Sequence, residues 1–511
     1  MFVKTFASAL YGLEALTVEV EVNISKGIGM YLVGLPDNAV KESQERIRAA
    51  FDNSSLKMTG KKVTVNLAPA DVKKEGAAFD LPIALGILAA SGQMEHENIN
   101  QYHIMGELSL DGTIKPIRGI LPIAIHAQKQ GYKGFILPKE NAQEASIVSG
   151  LDIIGVESLK QAVDFLNGEI FLEPTLPLNL DIEKETPQAF AEDFADVKGQ
   201  AAVKRALEIA AAGGHNIIMI GSPGSGKTML AKRVATILPE MNLEEALETT
   251  KIHSVAGKIG SEKGLMRKRP FRSPHNLSSQ VALIGGGPTP QPGEISLAHN
   301  GVLFLDELPE FGRGALEVLR GPLEEKTVNV SRAKYSVDYP ANFMLVASMN
   351  PCPCGYYAHP TKECTCSKHI VSRYLNRISG PLLDRIDMHI MVAPVEFEQM
   401  NDKSPQTTSS QIRERVEKAR KIQELRFKNT SSHTNSMMNS SMLNSYAPLS
   451  DKCAQMLKLA MKQLDLSARA YDRILKVART IADLAQSEEI MPNHIAEAIQ
   501  YRSLDRANWG L

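Results

Sequence analysis

Apolar and polar residues alternate in some stretches of the chain and recur every three or four residues in others. Alternation from Leu16 to Val22 and from Lys62 to Leu67 predicts strands that bury one face. Helical spacing from Asn38 to Phe51 and a nearly all-apolar run from Leu81 to Ala90 predict helices. Because the two patterns take turns along the chain, we predict an α/β domain over residues 1–170.

The rest of the chain divides by the same patterns. Residues 171–195 carry prolines among mixed polar residues, which is typical of a linker. Short apolar strands between helices predict an α/β core over 196–395, and helical spacing alone predicts a helical lid over 396–511. Within that lid, residues 429–445 are mostly Ser, Thr and Asn, a composition that predicts a flexible loop.

Length and composition narrow the class of protein. A chain of 511 residues is too long for a single core, and 43% hydrophobic residues is ordinary for a globular protein. Lysine and arginine total 57 against 58 acidic residues, so any nucleic-acid-binding surface must be local. No run of eighteen apolar residues occurs, and Met1–Phe6 lack the apolar core of a signal peptide. We therefore expect a cytoplasmic protein with no membrane partner.

One glycine-rich segment fits the phosphate-binding pattern G-x-x-x-x-G-K-[ST]. Its residues are Gly221, Ser222, Pro223, Gly224, Ser225, Gly226, Lys227 and Thr228. An apolar strand precedes it and a helix follows, so backbone N–H groups and the helix dipole converge on one spot. We expect ATP there, with Lys227 on the β/γ-phosphates and Thr228 on Mg²⁺. The alternative is a glycine turn that contains Lys-Thr by chance, and the flanking elements weaken it.

Two further apolar strands end in polar residues. Val302–Leu305 leads into Asp306 and Glu307, so we expect Asp306 to hold Mg²⁺ and Glu307 to polarise water. Asn350 ends a later strand. This arrangement resembles the AAA+ ATPases, in which that position holds a sensor of the γ-phosphate and the attacking water.

The order of elements in the first domain resembles the proteolytic domain of the Lon family, which has an S5-type α/β fold. The nucleophilic serine of Lon follows a glycine, and the matching position after Gly76 is Ala78 here. The catalytic lysine of Lon matches Leu121. Neither side chain can attack a carbonyl or take a proton, so the resemblance implies a Lon-like domain without protease activity.

Six longer strings make a more specific resemblance. They are Pro270–His275, Gly285–Gly287, Pro292–Gly301, Asp306–Phe311, Asn350–Gly355 and Val477–Leu484. With them the chain resembles, nearly end to end, the magnesium-chelatase-like AAA+ ATPases of the YifB/ComM family. The resemblance implies an AAA+ P-loop core, a helical lid and a homo-oligomeric ring, a hexamer, that drives branch migration of DNA in homologous recombination and natural transformation. The DNA would be single-stranded or branched.

The resemblance also assigns roles to arginines. Arg385 matches the arginine finger, which completes the ATP site of a neighbouring subunit. Arg469 matches the second sensor, which contacts the γ-phosphate from the lid, and Arg473 competes with it for that role. For each arginine, a salt bridge on a helix surface remains the alternative.

Two groups of cations are candidates for binding the DNA backbone. They are Arg267, Lys268, Arg269 and Arg272 in a basic insert, and Arg332 and Lys334 at the tip of a predicted hairpin. A solvated surface loop explains the charges equally well.

Four of the five cysteines lie close together in the sequence. Cys352, Cys354, Cys364 and Cys366 form two C-x-C pairs separated by nine residues. They indicate either a structural Zn²⁺ site or free thiols in an ordered loop, since C-x-C is tighter than the usual C-x₂-C.

Two other functions stay open at this point. One is an ATPase subunit of a magnesium chelatase, which acts on a tetrapyrrole. The other is a protein-remodelling regulator that captures clients with its Lon-like domain.

Overall fold

The computed structural model describes residues 1–177, 191–259, 264–287, 290–332, 335–357, 359, 361–395, 397–400, 404, 406–430 and 432–502. The chain forms two compact units. The first is Met1–Pro187 together with Leu243–Met266, and the second is Gln188–Asn242 together with Arg267–Leu511.

The first unit is built on a seven-stranded mixed sheet with the strand order β3-β4-β2-β1-β5-β8-β9. Its strands, with a small hairpin formed by β6 and β7, are β1 (Phe2–Tyr11), β2 (Glu14–Ser25), β3 (Met30–Val33), β4 (Lys62–Ala68), β5 (Tyr102–Ile104), β6 (Glu107–Leu108), β7 (Ile114–Lys115), β8 (Gly134–Pro138) and β9 (Asp152–Val156). The helices that follow them are α1 (Asn38–Asn53), α2 (Asp80–Ser91), α3 (Ile120–Lys129), α4 (Ala142–Ala145) and α5 (Leu159–Leu166).

The alternation of apolar and polar residues explains which face of this sheet is buried. Val18, Val20 and Val22 of β2 are fully buried, while the residues between them are more exposed. The α2 helix is apolar on every side, and all its residues from Asp80 to Ala90 are buried. A single apolar core therefore joins the sheet to its helices.

The second unit has a five-stranded parallel sheet with the strand order β11-β14-β17-β10-β18. Its strands, with two separate hairpins, are β10 (Ile217–Ile220), β11 (Phe271–Arg272), β12 (Gly285–Gly286), β13 (Gln291–Pro292), β14 (Val302–Leu305), β15 (Thr327–Arg332), β16 (Tyr335–Pro340), β17 (Met344–Met349) and β18 (Met388–Met391). Every residue of β10, β14 and β17 is buried, as expected for a parallel sheet covered on both faces.

The helices after α5 run to the end of the described chain. They are α6 (Ala201–Gly213), α7 (Lys227–Ile237), α8 (Leu243–Val255), α9 (Gln280–Ile284), α10 (Glu294–Leu297), α11 (Arg313–Glu317), α12 (Arg320–Glu325), α13 (Lys368–Leu375), α14 (Gly380–Leu383), α15 (Phe397–Met400), α16 (Ser409–Phe427), α17 (Ser440–Tyr446), α18 (Asp451–Gln463), α19 (Ala468–Leu484) and α20 (Pro492–Gln500). The lid helices α16 to α20 share one apolar core with β10, β14 and β17. None of the helices in the described residues is long and apolar enough to span a membrane.

The helix α8 belongs to the first unit, although its sequence lies inside the predicted ATPase core. It packs on α3, and the Ser254 carbonyl accepts the backbone N–H of Gly119 at 3.1 Å. The buried Glu144 carboxylate accepts hydrogen bonds from the Ser254 hydroxyl at 2.5 Å and from the Leu121 N–H at 3.0 Å. The chain thus leaves the second unit after Asn242 and returns at Arg267.

The flexible loop predicted for 429–445 is wrong for its described residues. A 3-10 turn at Asn435–Met437 and the helix α17 order much of the segment. Asn435 is fully buried, and its amide bonds Thr480 and Asp483 on α19. The buried amide of Asn435 is thus paired with the lid helices, a pairing that composition alone does not reveal.

Candidate nucleotide-binding site

The phosphate-binding segment joins the carboxyl end of β10 to the first turn of α7. Gly224 and Gly226 have φ angles of 78° and 88°, which favour glycine. A Cβ atom at Gly224 would meet no other atom within 4 Å, so the loop faces open space there. Backbone N–H groups in this geometry form a cradle that fits the phosphates of ATP.

Lys227 lies at the base of the cradle. Its Nζ donates to the carbonyls of Gly221 at 2.8 Å and Ser222 at 2.9 Å, and to Asn350 Oδ1 at 3.2 Å. Burial lowers the pKa of the Lys227 ammonium, against the opposing effect of the nearby Asp306 and Glu307 carboxylates. The structure thus brings together the two residues that we predict to contact the β/γ-phosphates and to sense the γ-phosphate.

Thr228 and Asp306 meet across the sheet edge. The Thr228 hydroxyl donates to Asp306 Oδ2 at 2.8 Å, and Ser348 on β17 bonds the other Asp306 oxygen. A hydroxyl beside a carboxylate is an oxygen donor set that suits Mg²⁺. These side chains therefore fit the Mg²⁺ ion that accompanies ATP. The hydrogen bond with Ser348 holds the Asp306 carboxylate in place.

Glu307 has a partner that the sequence patterns miss. Asn276 Nδ2 donates to Glu307 Oε2 at 3.2 Å. Glu307 also has a φ angle of 54°, an uncommon backbone conformation for a residue with a side chain. The strand order explains the contact. β11 and β14 are parallel neighbours, so the residues that follow their carboxyl ends, Asn276 and Glu307, lie at the same edge of the sheet.

Arg385 is held within its own chain. Its guanidinium pairs with Glu324 at 2.7 Å and donates to the Pro381 carbonyl at 2.7 Å, and 11% of its side chain is exposed. An arginine finger would have to exchange Glu324 for the phosphate of a neighbouring subunit. The finger role of Arg385 stays a prediction.

The two candidates for the second sensor differ in their surroundings. Arg473 pairs with the buried Asp387 at 2.8 Å. Burial would raise the pKa of Asp387, but the positive charge of Arg473 and the hydrogen bond to His215 hold it well below its usual range. Arg469 is 65% exposed and contacts Asp384 at 3.3 Å. Of the two, Arg469 has more freedom to reach a phosphate.

Two cations of the basic insert have structural partners. Arg269 donates to the carbonyls of Pro239 at 2.6 Å and Asn300 at 2.8 Å. Arg272 pairs with Glu294 through two hydrogen bonds of 2.6 and 2.8 Å. These contacts argue against Arg269 and Arg272 as DNA ligands and assign both side chains to the scaffold around β11 and β14.

The remaining basic candidates are only partly defined. Lys268 is exposed and Arg267 is half-buried. The two strands predicted on either side of residue 333 are present as the antiparallel pair β15 and β16. Lys334 and the side chain of Arg332 lie outside the described residues.

The four clustered cysteines converge after Asn350, and we refer to Cys352, Cys354, Cys364 and Cys366 as the cysteine knuckle. Their sulfur atoms lie within 4.8 Å of one another, with Cys352–Cys354, Cys354–Cys364 and Cys352–Cys364 distances of 3.3, 3.6 and 3.7 Å. A disulfide needs about 2.05 Å. Tetrahedral zinc, with Zn–S bonds of about 2.3 Å, needs sulfurs about 3.8 Å apart. The donor set therefore fits a single zinc ion, despite the short C-x-C spacing.

The protease positions of the first unit carry no catalytic group. Ala78 lies in a 3-10 turn before α2, and Leu121 is buried in the first turn of α3. The backbone N–H of Leu121 donates to the Glu144 carboxylate.

Comparison with known proteins gives three family matches. The models described as magnesium chelatase subunit ChlI, subunit ChlI of Mg-chelatase and magnesium chelatase subunit ChlI C-terminal match residues 193–400, 20–141 and 406–502. Lon protease 2 of Bacillus subtilis is 28% identical over 150 residues, which is 29% of this chain and 26% of that protease. With the observed sheets, these matches confirm the predicted fold: a Lon-like α/β domain, an AAA+ core and a helical lid.

Two relatives match over nearly their whole length. Competence protein ComM of Haemophilus influenzae is 46% identical over 509 residues, covering 98% of this chain and 97% of that protein. YifB of Escherichia coli strain K12 is 43% identical over 501 residues, covering 98% and 96%. This end-to-end identity, together with the ATP-site geometry, shows that the chain belongs to the YifB/ComM family of magnesium-chelatase-like AAA+ proteins.

Proposed function

We propose that this protein is an ATP-hydrolysing, ring-forming motor that drives branch migration of DNA during homologous recombination and natural transformation. The observation that carries the proposal is a complete set of ATP-site side chains in a chain 46% identical, end to end, to a competence protein. Lys227, Thr228, Asp306, Glu307 and Asn350 meet at one edge of one parallel sheet. The ring is a homo-hexamer in the cytoplasm.

In this function the residues of the site have separate tasks. The loop N–H groups and Lys227 bind the β- and γ-phosphates, and Thr228 and Asp306 hold Mg²⁺, which neutralises phosphate charge. Glu307 orients a water molecule and takes its proton as the water oxygen attacks the γ-phosphorus, while the bond from that phosphorus to the bridging oxygen breaks and ADP leaves. Asn350 contacts the γ-phosphate, and Arg385 of the adjacent subunit stabilises the charge of the leaving group.

The DNA contacts are to the backbone and do not read sequence. Lys268 is a candidate from the basic insert because its side chain is exposed. The β15–β16 hairpin is a second candidate, because the sequence carries Arg332 and Lys334 where its two strands join. Binding should weaken steeply as salt rises.

We further infer that the cysteine knuckle holds a structural Zn²⁺ ion. Sulfur separations of 3.3 to 3.7 Å among Cys352, Cys354 and Cys364 are close to those of tetrahedral thiolate ligation and too long for a disulfide, and the Cys366 sulfur lies within 4.8 Å of the others. Cys352 also accepts the backbone N–H of Tyr357 at 3.3 Å, the kind of bond that orients a metal-bound thiolate. Metal analysis of the purified protein should find about one zinc per chain.

The deciding experiment is steady-state ATPase activity without DNA, with single-stranded DNA and with a four-way junction. We expect stimulation by DNA, largest with the junction, and displacement of labelled junction arms that depends on ATP. Glu307→Gln should bind ATP but neither hydrolyse it nor move the junction. Activity that ignores every DNA tested would contradict the motor proposal.

A magnesium-chelatase role is the second candidate, because three family models described for chelatase subunit ChlI match the chain. It predicts ATP turnover that ignores DNA and rises with a large partner subunit and a porphyrin. Stimulation by DNA alone would count against it. A protein-remodelling role would instead show stimulation by a protein client.

A further inference from the structure

Residues 350–367 join β17 to α13 and include the whole cysteine knuckle. None of the described residues in this segment forms a helix or a strand. A loop of this length without regular structure is uncommon in a compact domain and usually has a function. A single ion bound by cysteines at both ends of the segment would hold the segment in one conformation.

One side of this segment lies against the phosphate-binding loop. Gly355 has a φ angle of 83°, and a Cβ atom there would lie 2.3 Å from Pro223 Cδ and 2.7 Å from Pro223 Cγ. Such distances are far below van der Waals contact, so the Gly355 backbone touches the Pro223 ring. The turn is held by a hydrogen bond from the Gly355 N–H to the Cys352 carbonyl at 2.9 Å.

The other side of the segment returns to Asn350. Tyr374 on α13 is buried, and its hydroxyl accepts the backbone N–H of Asn350. Asn350 in turn accepts from Lys227 at 3.2 Å, and the Met349 carbonyl accepts the Gly221 N–H at 3.2 Å. The segment therefore begins at the residue that we predict to sense the γ-phosphate, and the helix that follows the segment contacts the same residue through Tyr374.

We propose that zinc in the cysteine knuckle braces the ATP site, holding Pro223 of the phosphate loop and Asn350 at their working separation. The proposal rests on the zinc site and ATPase activity inferred above. Cys352 and Cys354 stand near the start of this segment and Cys364 and Cys366 near its end, so the ion ties the Gly355 turn to the start of α13. Without the ion, the turn loses its attachment and both contacts with the ATP site loosen. Zinc is then required for tight ATP binding, although it touches neither ATP nor the reacting water.

The test removes the ligands that are remote in sequence from Asn350. The variant Cys364→Ser/Cys366→Ser should lose zinc and weaken binding of a fluorescent ATP analogue about tenfold or more. Hydrogen exchange at residues 221–228 and 350–357 should rise, a change that a purely local role would not cause. Cys453→Ser is the matched control, because Cys453 lies outside the knuckle and donates to the Ile490 carbonyl at 3.4 Å, which a serine hydroxyl can also do.

A second variant tests the contact with the phosphate loop without removing a zinc ligand. It also keeps the proposal testable if the cysteine variant misfolds. Gly355→Ala forces a methyl group toward Pro223 and strains a positive φ angle. It should retain zinc but weaken binding of the ATP analogue. Wild-type affinity in Gly355→Ala would overturn the brace.

The outcomes distinguish the proposals from one another. Wild-type ATP binding in a zinc-free Cys364→Ser/Cys366→Ser protein would overturn the brace but leave the metal site and the ATPase standing. Wild-type protein with four reactive thiols and no zinc would overturn the metal site. Wild-type protein that holds zinc but hydrolyses no ATP would overturn the proposed function.

Discussion

Asn276 is the residue that sequence patterns miss at the ATP site, and its role can be measured separately from binding. Its amide contacts Glu307 at 3.2 Å and orients the carboxylate that we propose as the base. We expect Asn276→Ala to lower kcat about tenfold with little change in ATP affinity, since a mobile base is less often aligned with the water. Pre-steady-state ATP hydrolysis would measure the effect.

The control for that variant is Ser273→Ala, an exposed position three residues earlier in the same segment. It should hydrolyse ATP at the wild-type rate. If Asn276→Ala kept a wild-type kcat, the contact with Glu307 would have no part in the reaction.

His103 predicts a pH dependence of stability in the first unit. It is fully buried on β5, and its Nε2 bonds the Ser8 hydroxyl at 3.0 Å. Burial lowers the pKa of His103 to about 3, from 6.5. The folded protein therefore keeps this ring neutral, while the unfolded chain takes up a proton below pH 6.5. Stability that His103 contributes above pH 6.5 is lost as the pH falls from 6.5 toward 3.

Replacing His103 by glutamine should flatten this dependence, because glutamine can bond Ser8 but does not titrate. Between pH 7 and pH 4 the free energy of unfolding should fall by about 3 kcal/mol less in His103→Gln than in the wild type. Urea denaturation at each pH would measure it. His96→Gln, which changes an exposed histidine, should follow the wild-type curve.

At the scale of elements, Asn435 links the ordered segment before α17 to α16 and α19. It donates to Asp483 at 2.7 Å, accepts from Arg426 at 2.8 Å and is fully buried. Asn435→Ala removes these two hydrogen bonds from a buried charged network in which Arg426 and Asp483 still pair, so we expect the second unit to lose about 2–4 kcal/mol of stability in chemical denaturation. Asn444→Ala, on the exposed side of α17, should cost little. Equal effects of the two changes would mean that the network adds no stability.

Elements with a strong local pattern could be predicted from sequence. The limits of β4 and α1 differ by no more than two residues from those expected, because alternation and helical spacing are properties of the segment itself. The ordered segment at 435–446 could not be predicted, since its polar groups are satisfied by residues such as Asp483, far along the chain. The ion pair of Arg272 could not be predicted for the same reason, because its partner Glu294 is 22 residues away.

At the scale of the whole molecule, the proposed ring makes a prediction about mixtures of subunits. Lys227→Ala removes ATP binding from its own site, and Arg385→Ala removes the finger from the neighbouring one. If Arg385 acts across an interface, mixing the two inactive variants should restore part of the ATPase activity, because some interfaces then pair an intact loop with an intact finger. The same mixing with Arg377→Ala, whose guanidinium pairs with Glu310 in its own chain, is the control.

Absence of rescue at every mixing ratio would contradict a finger in trans. The motifs of the proposed ATP site are contiguous strings, so the sequence could predict which side chains the structure brings together at this edge of the sheet. It could not predict that Glu324 holds Arg385, because a charge pair between separate elements leaves no periodic signal.

The position of α8 in the sequence limits how the chain can be cut into fragments that fold. Its residues are encoded between the phosphate loop and β11, yet they fold with the N-terminal unit. No single cut in the gene separates the two units: a fragment that ends at residue 177 lacks α8, and one that starts at 191 carries α8 without α3 to cover it. The buried face of that helix, with Ile252 and Val255, would then be exposed in the fragment. Removal of the whole Lon-like unit therefore requires a second deletion, over residues 243–266, inside the segment that encodes the second unit.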